Sequence, residues 1–227
     1  MGKAQRESRL ETYDRIAKHF ASLFNPASTE RTRRPSERAL AQWLTFSADP
    51  FARSDLVPGG ARVGDDFATL AKAFVSSIRE RASALGLPDS VVTAAVVIWS
   101  DQAQFRGRRQ RRRGQFAEAR QTAERLMAVA RQFAHDFPDR TDSYLVLSAA
   151  HCQTSKNAWE HVDYAAIEQS LKQAVEAANH AVNLDPGRED ARRLADRLTI
   201  RLAGLKAGRD QVRKSSCQAP SNLSLSK

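Results

Sequence analysis

The stretch from Gly114 to Arg140, GQFAEARQTAERLMAVARQFAHDFPDR, recurs in a second form from Val162 to Arg188, VDYAAIEQSLKQAVEAANHAVNLDPGR. Each copy starts with an aromatic residue followed by alanine, Phe116 or Tyr164, and ends with a proline at the same distance from it, Pro138 or Pro186. A fixed period of this size indicates stacked supersecondary units, because one unit cannot bury its own apolar stripe. The sequence therefore predicts a helical repeat protein. Equivalent positions of the two copies are separated by the distance from Phe116 to Tyr164, which we call the repeat offset.

A weaker third copy lies upstream, where Phe67 is followed by alanine and Pro88 comes one position earlier than the other two copies require. After each of the three prolines a short polar segment leads into a new apolar pattern, which is how helical hairpins are punctuated. The predicted fold is all-α, with stacked helical hairpins and elongated helices. The long helices start at Phe67, Phe116 and Tyr164, and their partner helices span about 89–112, 142–160 and 189–206.

Composition shifts divide the chain into four predicted segments. Apolar residues in steps of three and four indicate an amphipathic helix within residues 1–24, which ends at Asn25 and Pro26. Glycine, proline and polar residues predict a linker over residues 25–64, with one short helix that Ser36 caps. The repeat domain covers residues 65–206, and residues 207–227 are polar enough to predict a disordered tail.

The net charge of +10 is unevenly distributed along the chain. Residues 114–186 contain six Lys/Arg and ten Asp/Glu, whereas residues 101–113 contain six Arg and one Asp. An acidic repeat body argues against nucleic-acid binding as the main role, because such proteins usually spread basic residues along the whole contact face. The longest apolar run, Val91 to Trp99, is shorter than the roughly 20 residues of a membrane span. Two cysteines without paired spacing and a polar N-terminus favour a cytoplasmic protein.

The segment AVEAANHAVNLDPGREDARR, residues 174–193, resembles the junction between two tetratricopeptide repeats. Ala174, Ala178 and Ala181 stand where that family places small residues before its proline, which is Pro186 here. The wider pattern also resembles repeat regions appended to bacterial serine/threonine protein kinases, in their non-catalytic part. This resemblance implies an α-solenoid that binds other proteins.

The sequence contains no recognisable catalytic or cofactor motif. It has no glycine-rich phosphate loop and none of the kinase signature elements. The five histidines include no pair four residues apart, so no metal site is predicted. We expect a protein without catalysis, cofactor, metal or small-molecule substrate, and with a protein partner, either a peptide or a helix.

The resemblance also implies a binding groove, since in that family the helix after each proline lines a concave surface. We expect Trp99 to anchor a partner there, while an arginine stripe on the last helix attracts acidic residues of that partner. The alternative is that Trp99 belongs to the core and that the stripe is a solvated outer face. The predicted groove residues are Val92, Ala95, Trp99, Gln102, Leu145, Ala149, Gln153, Arg193, Arg197 and Arg201.

The run RGRRQRRRG, residues 106–114, is the most concentrated basic feature of the chain. Three interpretations stay open. Arginines favour the negative end of a helix, they also suit an acidic protein partner, and they can bind nucleic-acid phosphates. The last interpretation is the alternative function, a nucleic-acid-associated protein. The residues concerned are Arg106, Arg108, Arg109, Arg111, Arg112 and Arg113.

Overall fold

The computed structural model describes residues 37–48 and 67–217, and these two ranges are helical apart from short turns. They contain no strand, so the predicted all-α class is confirmed for the part of the chain described. The helices are α1 Glu37–Ala48, α2 Phe67–Ala84, α3 Asp89–Arg112, α4 Phe116–Asp136, α5 Thr141–Glu160, α6 Tyr164–Leu184 and α7 Glu189–Cys217.

The two copies found in the sequence adopt the same local structure. Helices α4 and α6 begin and end at positions that are related by the repeat offset. Most buried positions of α4 also recur at this offset in α6. The buried pairs are Ala119 and Ile167, Thr122 and Ser170, Ala123 and Leu171, Leu126 and Ala174, Val129 and Ala177, Ala130 and Ala178, and Phe133 and Ala181.

The turns that precede these two helices also match. Gly114 and Val162, again related by the repeat offset, both have a positive φ, 71° and 53°. After each of them the next backbone N–H returns to a carbonyl five residues earlier, at 3.0 and 3.1 Å. This left-handed closure of a helix satisfies its last carbonyls and is usually made by glycine. The turn before α3 uses the same device, with Gly86 at φ 63°.

Helix α1, which lies in the segment predicted as a linker, packs into the helical core. Its buried residues Leu40 and Leu44 share one apolar cluster with α2 to α5. The Thr45 hydroxyl donates to the Ala95 carbonyl of α3 at 2.9 Å, which ties the two helices together. The short helix predicted inside a linker is therefore a structural element, because its apolar face covers α3.

The tail prediction is corrected for residues 207–217, where α7 continues to Cys217. Lysine, alanine, arginine and glutamine in this stretch are good helix formers, and the single Gly208 does not end the helix. The predicted N-terminal helix, most of the linker, and residues 218–227 lie outside the described residues.

Neighbouring helices pack together, but the contacts do not repeat evenly. Helix α2 packs against α4, whereas α4 and α6, which are both fully described, make at most marginal contact with each other. The largest interface joins α5 and α6, where the Ser148 hydroxyl donates to the Ala174 carbonyl at 2.8 Å. A second apolar cluster, formed mainly by α6 and α7, includes Leu171 and Leu198.

Candidate functional site

The structure places the predicted anchor Trp99 in the core. Its side chain is buried, and its ring centroid lies 5.3 Å from that of Phe74. Val92 and Ala95 are buried on the same helix. The physical reason is that both α1 and α2 pack against α3 and cover the face that the repeat pattern alone left open. These three residues therefore do not line an exposed groove, and this corrects the prediction made for them.

The remaining predicted groove residues have different environments. Gln102 of α3 is exposed, Leu145 and Ala149 of α5 are half-buried, and Gln153 is buried. The arginine stripe of α7 is exposed, and the first member, Arg193, forms an ion pair with Glu189. Arg197 and Arg201 complete the stripe.

The basic run forms the C-terminal end of α3. Five of its arginines are exposed, at positions 106, 108, 109, 112 and 113. The sixth, Arg111, is directed towards α5, where it donates to the Gln153 side-chain oxygen at 2.5 Å and to the Asn157 side-chain oxygen at 3.0 Å. Arginines in the last turn also interact favourably with the negative end of the helix. The run therefore has a structural role at Arg111 and leaves five guanidinium groups at the surface.

The basic run and the arginine stripe, which are separate in sequence, meet at Lys156 of α5. Burial lowers the pKa of Lys156, the Cys152 thiol partly opposes this effect, and Arg111, Arg201 and Arg108 lower the pKa further. Burial likewise raises the pKa of Cys152, and Lys156, Arg201 and Arg197 oppose that rise. We call the five cations from α3, α5 and α7 the basic surface: Arg108, Arg111, Lys156, Arg197 and Arg201.

The basic surface has five cations and, among the described residues, two acids that act on it: Glu160 near Arg111 and Asp101 near Arg108, where burial raises the pKa of Asp101 and Arg108 opposes the rise. Lys156 is half-buried and has no hydrogen bond or ion pair with any residue that the structure describes. Glu160 acts on Arg111, and burial raises the pKa of this glutamate while Arg111 and His161 lower it. A half-buried amine among guanidinium groups is electrostatically unfavourable unless an anion joins it.

An exposed aromatic residue lies next to the basic surface. Phe105 is 62% exposed, and it shares one face of α3 with Arg108, Arg109 and Arg112, which follow three, four and seven residues later. The sequence contains a signal for this exposure, because Phe105 is the one aromatic residue on a helix face whose next positions are arginines. We did not single it out from the sequence, in which Trp99 dominated the apolar pattern.

A groove lies along α5 where α4 and α6 diverge, and it adjoins the basic surface, because Asn157 and Glu160, which interact with Arg111, also line its smaller cavity. Two cavities of about 750 and 550 Å³ share Glu124 of α4 and Thr154 of α5 in their linings. Exposed aromatic residues mark one end, where the rings of Trp159 and Tyr164 meet edge to face at 5.8 Å. Phe116, the equivalent of Tyr164 in the first copy, lines the smaller cavity and is also about half exposed.

No protein-family model, no curated protein and no solved structure matches this chain. Within residues 37–48 and 67–217, no cluster of three or more histidine, cysteine or acidic residues could hold a metal ion. The described helices include none that combines the length and the apolar character needed to cross a membrane.

Proposed function

We propose that the protein is a non-catalytic helical scaffold that binds an acidic segment of another protein on its basic surface. The observation that carries this proposal is the convergence of five cations from three helices, Arg108, Lys156 and Arg201 among them, with only Glu160 and Asp101 as acids that act on them among the described residues. Each of α3, α5 and α7 follows a proline, as the groove-lining helices do in tetratricopeptide-like proteins. Complementary charge would attract the partner and fix its orientation.

Phe105 supplies the apolar contact that the buried Trp99 cannot supply. A largely exposed aromatic ring beside three arginines suits a partner segment in which an apolar residue stands among acidic ones. Aromatic and arginine side chains are the types most enriched among residues that dominate binding energy. Because the Phe105 side chain is mostly in solvent, its removal would change binding with little effect on folding.

The test is selection from a random peptide library displayed on phage, with the intact protein as bait. We expect enrichment of acidic peptides that contain an apolar residue, and weaker binding of these peptides to Phe105→Ala. The double variant Arg108→Glu/Arg201→Glu should lose at least about tenfold in affinity, because the two glutamates repel an acidic peptide that the two arginines attract. The control Arg140→Glu/Arg192→Glu changes two exposed arginines near the other ends of α5 and α7 and should bind normally. Enrichment of neutral or basic peptides would overturn the proposal.

Nucleic-acid binding is the second candidate function. The observation that favours it is the group of five exposed arginines at the end of α3, adjacent to a solvated aromatic ring on which a base could stack. Fluorescence anisotropy with single-stranded and duplex DNA separates the two functions. Tight binding that falls steeply from low to moderate salt, and that needs Arg109, Arg112 and Arg113, would support this candidate. Absence of binding at low salt would remove it.

A further inference from the structure

Lys156 lies at the centre of the basic surface, and its neighbours hold it there. The two side chains that bind Arg111, Gln153 and Asn157, stand three residues before and one residue after Lys156 on α5. Cys152, one turn earlier, packs into the apolar cluster of α6 and α7. The lysine is therefore placed between the guanidinium group of Arg111 on one side and helix α7 on the other.

The charge balance at this position favours an anion with more than one negative charge. In the part of the chain described, two acids act on the five cations, Glu160 on Arg111 and Asp101 on Arg108. The C-terminal ends of α3 and α5 add about half a negative charge each. About two positive charges then remain, so a single carboxylate would leave about one of them unbalanced, whereas a dianion would offset both.

The kind of donor groups present narrows the ligand further. A carboxylate is well matched by one planar arginine fork, while a phosphate monoester has about −1.5 to −2 charge and three acceptor oxygens. Arginines and a lysine that approach from three helices can donate to such an oxyanion from several directions. The phosphodiester of a nucleic-acid backbone has one negative charge per phosphate and gains less from this concentration of cations.

We infer that the basic surface selects a phosphate monoester and that Lys156 provides the selectivity over carboxylates. This inference rests on the proposed binding of an acidic protein segment, and it specifies that segment as one with a phosphorylated side chain. The half-buried amine has no partner among the described residues, so a bound dianion would be its first counter-charge. The direction of the Lys156 pKa agrees, because a site that disfavours the ammonium group has unused capacity for an anion.

The first experiment titrates the full chain, at constant ionic strength, with phenyl phosphate, dimethyl phosphate and benzoate, and follows backbone amide shifts by NMR. We expect phenyl phosphate to shift the amides of α5 around residue 156 and to bind at least about tenfold more tightly than the two monoanions. Equal affinities for phenyl phosphate and benzoate would overturn the inference. Acidic peptides that still bind would then leave the proposed function in place, whereas no binding of any anion or peptide would remove both.

The second experiment compares variants and ligand sources. Lys156→Met keeps the unbranched shape and most of the length of the side chain, removes its charge, and should lose most of the preference for phenyl phosphate while retaining carboxylate binding through the arginines. The matched control is Lys172→Met, because Lys172 pairs with Glu168 on α6 at 3.0 Å and lies outside the basic surface. Thermal unfolding checks that both variants fold. Retention of the full preference in Lys156→Met would overturn the role of this lysine.

A library-selected peptide with one acidic residue replaced by phosphoserine distinguishes a protein side chain from a small molecule as the source. Tighter binding than phenyl phosphate alone would support the phosphorylated segment. Affinity no better than that of phenyl phosphate would overturn the assignment to a protein and indicate a small phosphate monoester.

Discussion

The two copies of the repeat, α4 with its preceding turn and α6 with its preceding turn, share one backbone and bury different side chains. Their helix ends, turn hydrogen bonds and buried positions are all related by the same repeat offset. Yet Leu126, Val129 and Phe133 of α4 correspond to three alanines in α6. Spacing along the sequence thus sets the local backbone, whereas side-chain size decides which neighbours a helix can approach.

This difference accounts for the uneven packing. The alanine face of α6 allows α5 to come close, and their interface is the largest in the described structure. The larger side chains of α4 instead fill the core shared with α1, α2, α3 and α5. Because α4 and α6 face different cores, they diverge over α5 and leave the groove between them.

The largest expected effect on the free energy of unfolding comes from removing a large buried side chain of α4 where α6 has an alanine. Phe133 is fully buried, and its ring meets Phe137 edge to face at 5.3 Å. Phe133→Ala should lower the free energy of unfolding by about 3–5 kcal/mol, because it creates a cavity in the core. Urea unfolding measures the loss. The reciprocal change, Ala181→Phe, should cost about 1–3 kcal/mol by overpacking at the close α5–α6 interface. A small loss for Phe133→Ala would mean that α4 does not need its larger side chains.

The second effect concerns α5 and α7, which follow the two copies. His151 of α5 is buried and its pKa is lowered to about 4, mainly by burial and also by Arg131, whereas the residue at the equivalent position of α7, Thr199, is exposed. Because the folded state holds this histidine neutral, its contribution to stability is present above the unfolded pKa of 6.5 and is lost as the pH falls towards 4. We expect a loss of about 2 kcal/mol from this group between pH 8 and pH 5.

Urea unfolding of His151→Gln at these two pH values checks the effect, since the variant should lose much less stability on acidification than the parent. His135→Gln is the control, because the His135 side chain is 81% exposed and its removal should leave the acid loss in place. An unchanged acid loss in His151→Gln would contradict the prediction.

The repeat spacing was sufficient to predict α3 to α6 to within about one residue at most of their ends, because turn residues and apolar periodicity are local signals. It could not show that Trp99 packs on Phe74 of α2 or that α1 is tied to Ala95 of α3 by the Thr45 hydrogen bond, since both contacts join residues far apart in sequence. The meeting of two basic segments at Lys156 is likewise a tertiary result: each segment is visible in the sequence, but nothing local brings them together.

A smaller effect is expected where the copies differ in their turns. Val162 has φ 53°, a conformation that is strained for a β-branched residue, while the equivalent Gly114 adopts φ 71° without a side chain. Val162→Gly should stabilise the protein by about 1 kcal/mol, since relief of strain exceeds the added entropy of the unfolded chain. Gly114→Val should destabilise it by about 1–2 kcal/mol. Thermal unfolding of both variants tests this, and a loss of stability in Val162→Gly would show that the valine side chain contributes more than its strain costs.

The smallest expected effect on stability concerns the helix N-caps, which differ between the two copies. Asp163 accepts a hydrogen bond from the Ala166 N–H at 3.0 Å, whereas Gln115 makes no side-chain cap although its φ and ψ, −84° and 67°, are close to the −83° and 87° of Asp163. Because the backbone is already suited to a cap, Gln115→Asp should stabilise the protein by about 0.5 kcal/mol, and Asp163→Gln should destabilise it by about 1 kcal/mol. Urea unfolding of the single variants and of the double exchange measures both changes. If the copies are equivalent at this level, the two effects should add in the double variant, because the sites are on different helices; a clear departure from additivity would show that the two helix starts are coupled.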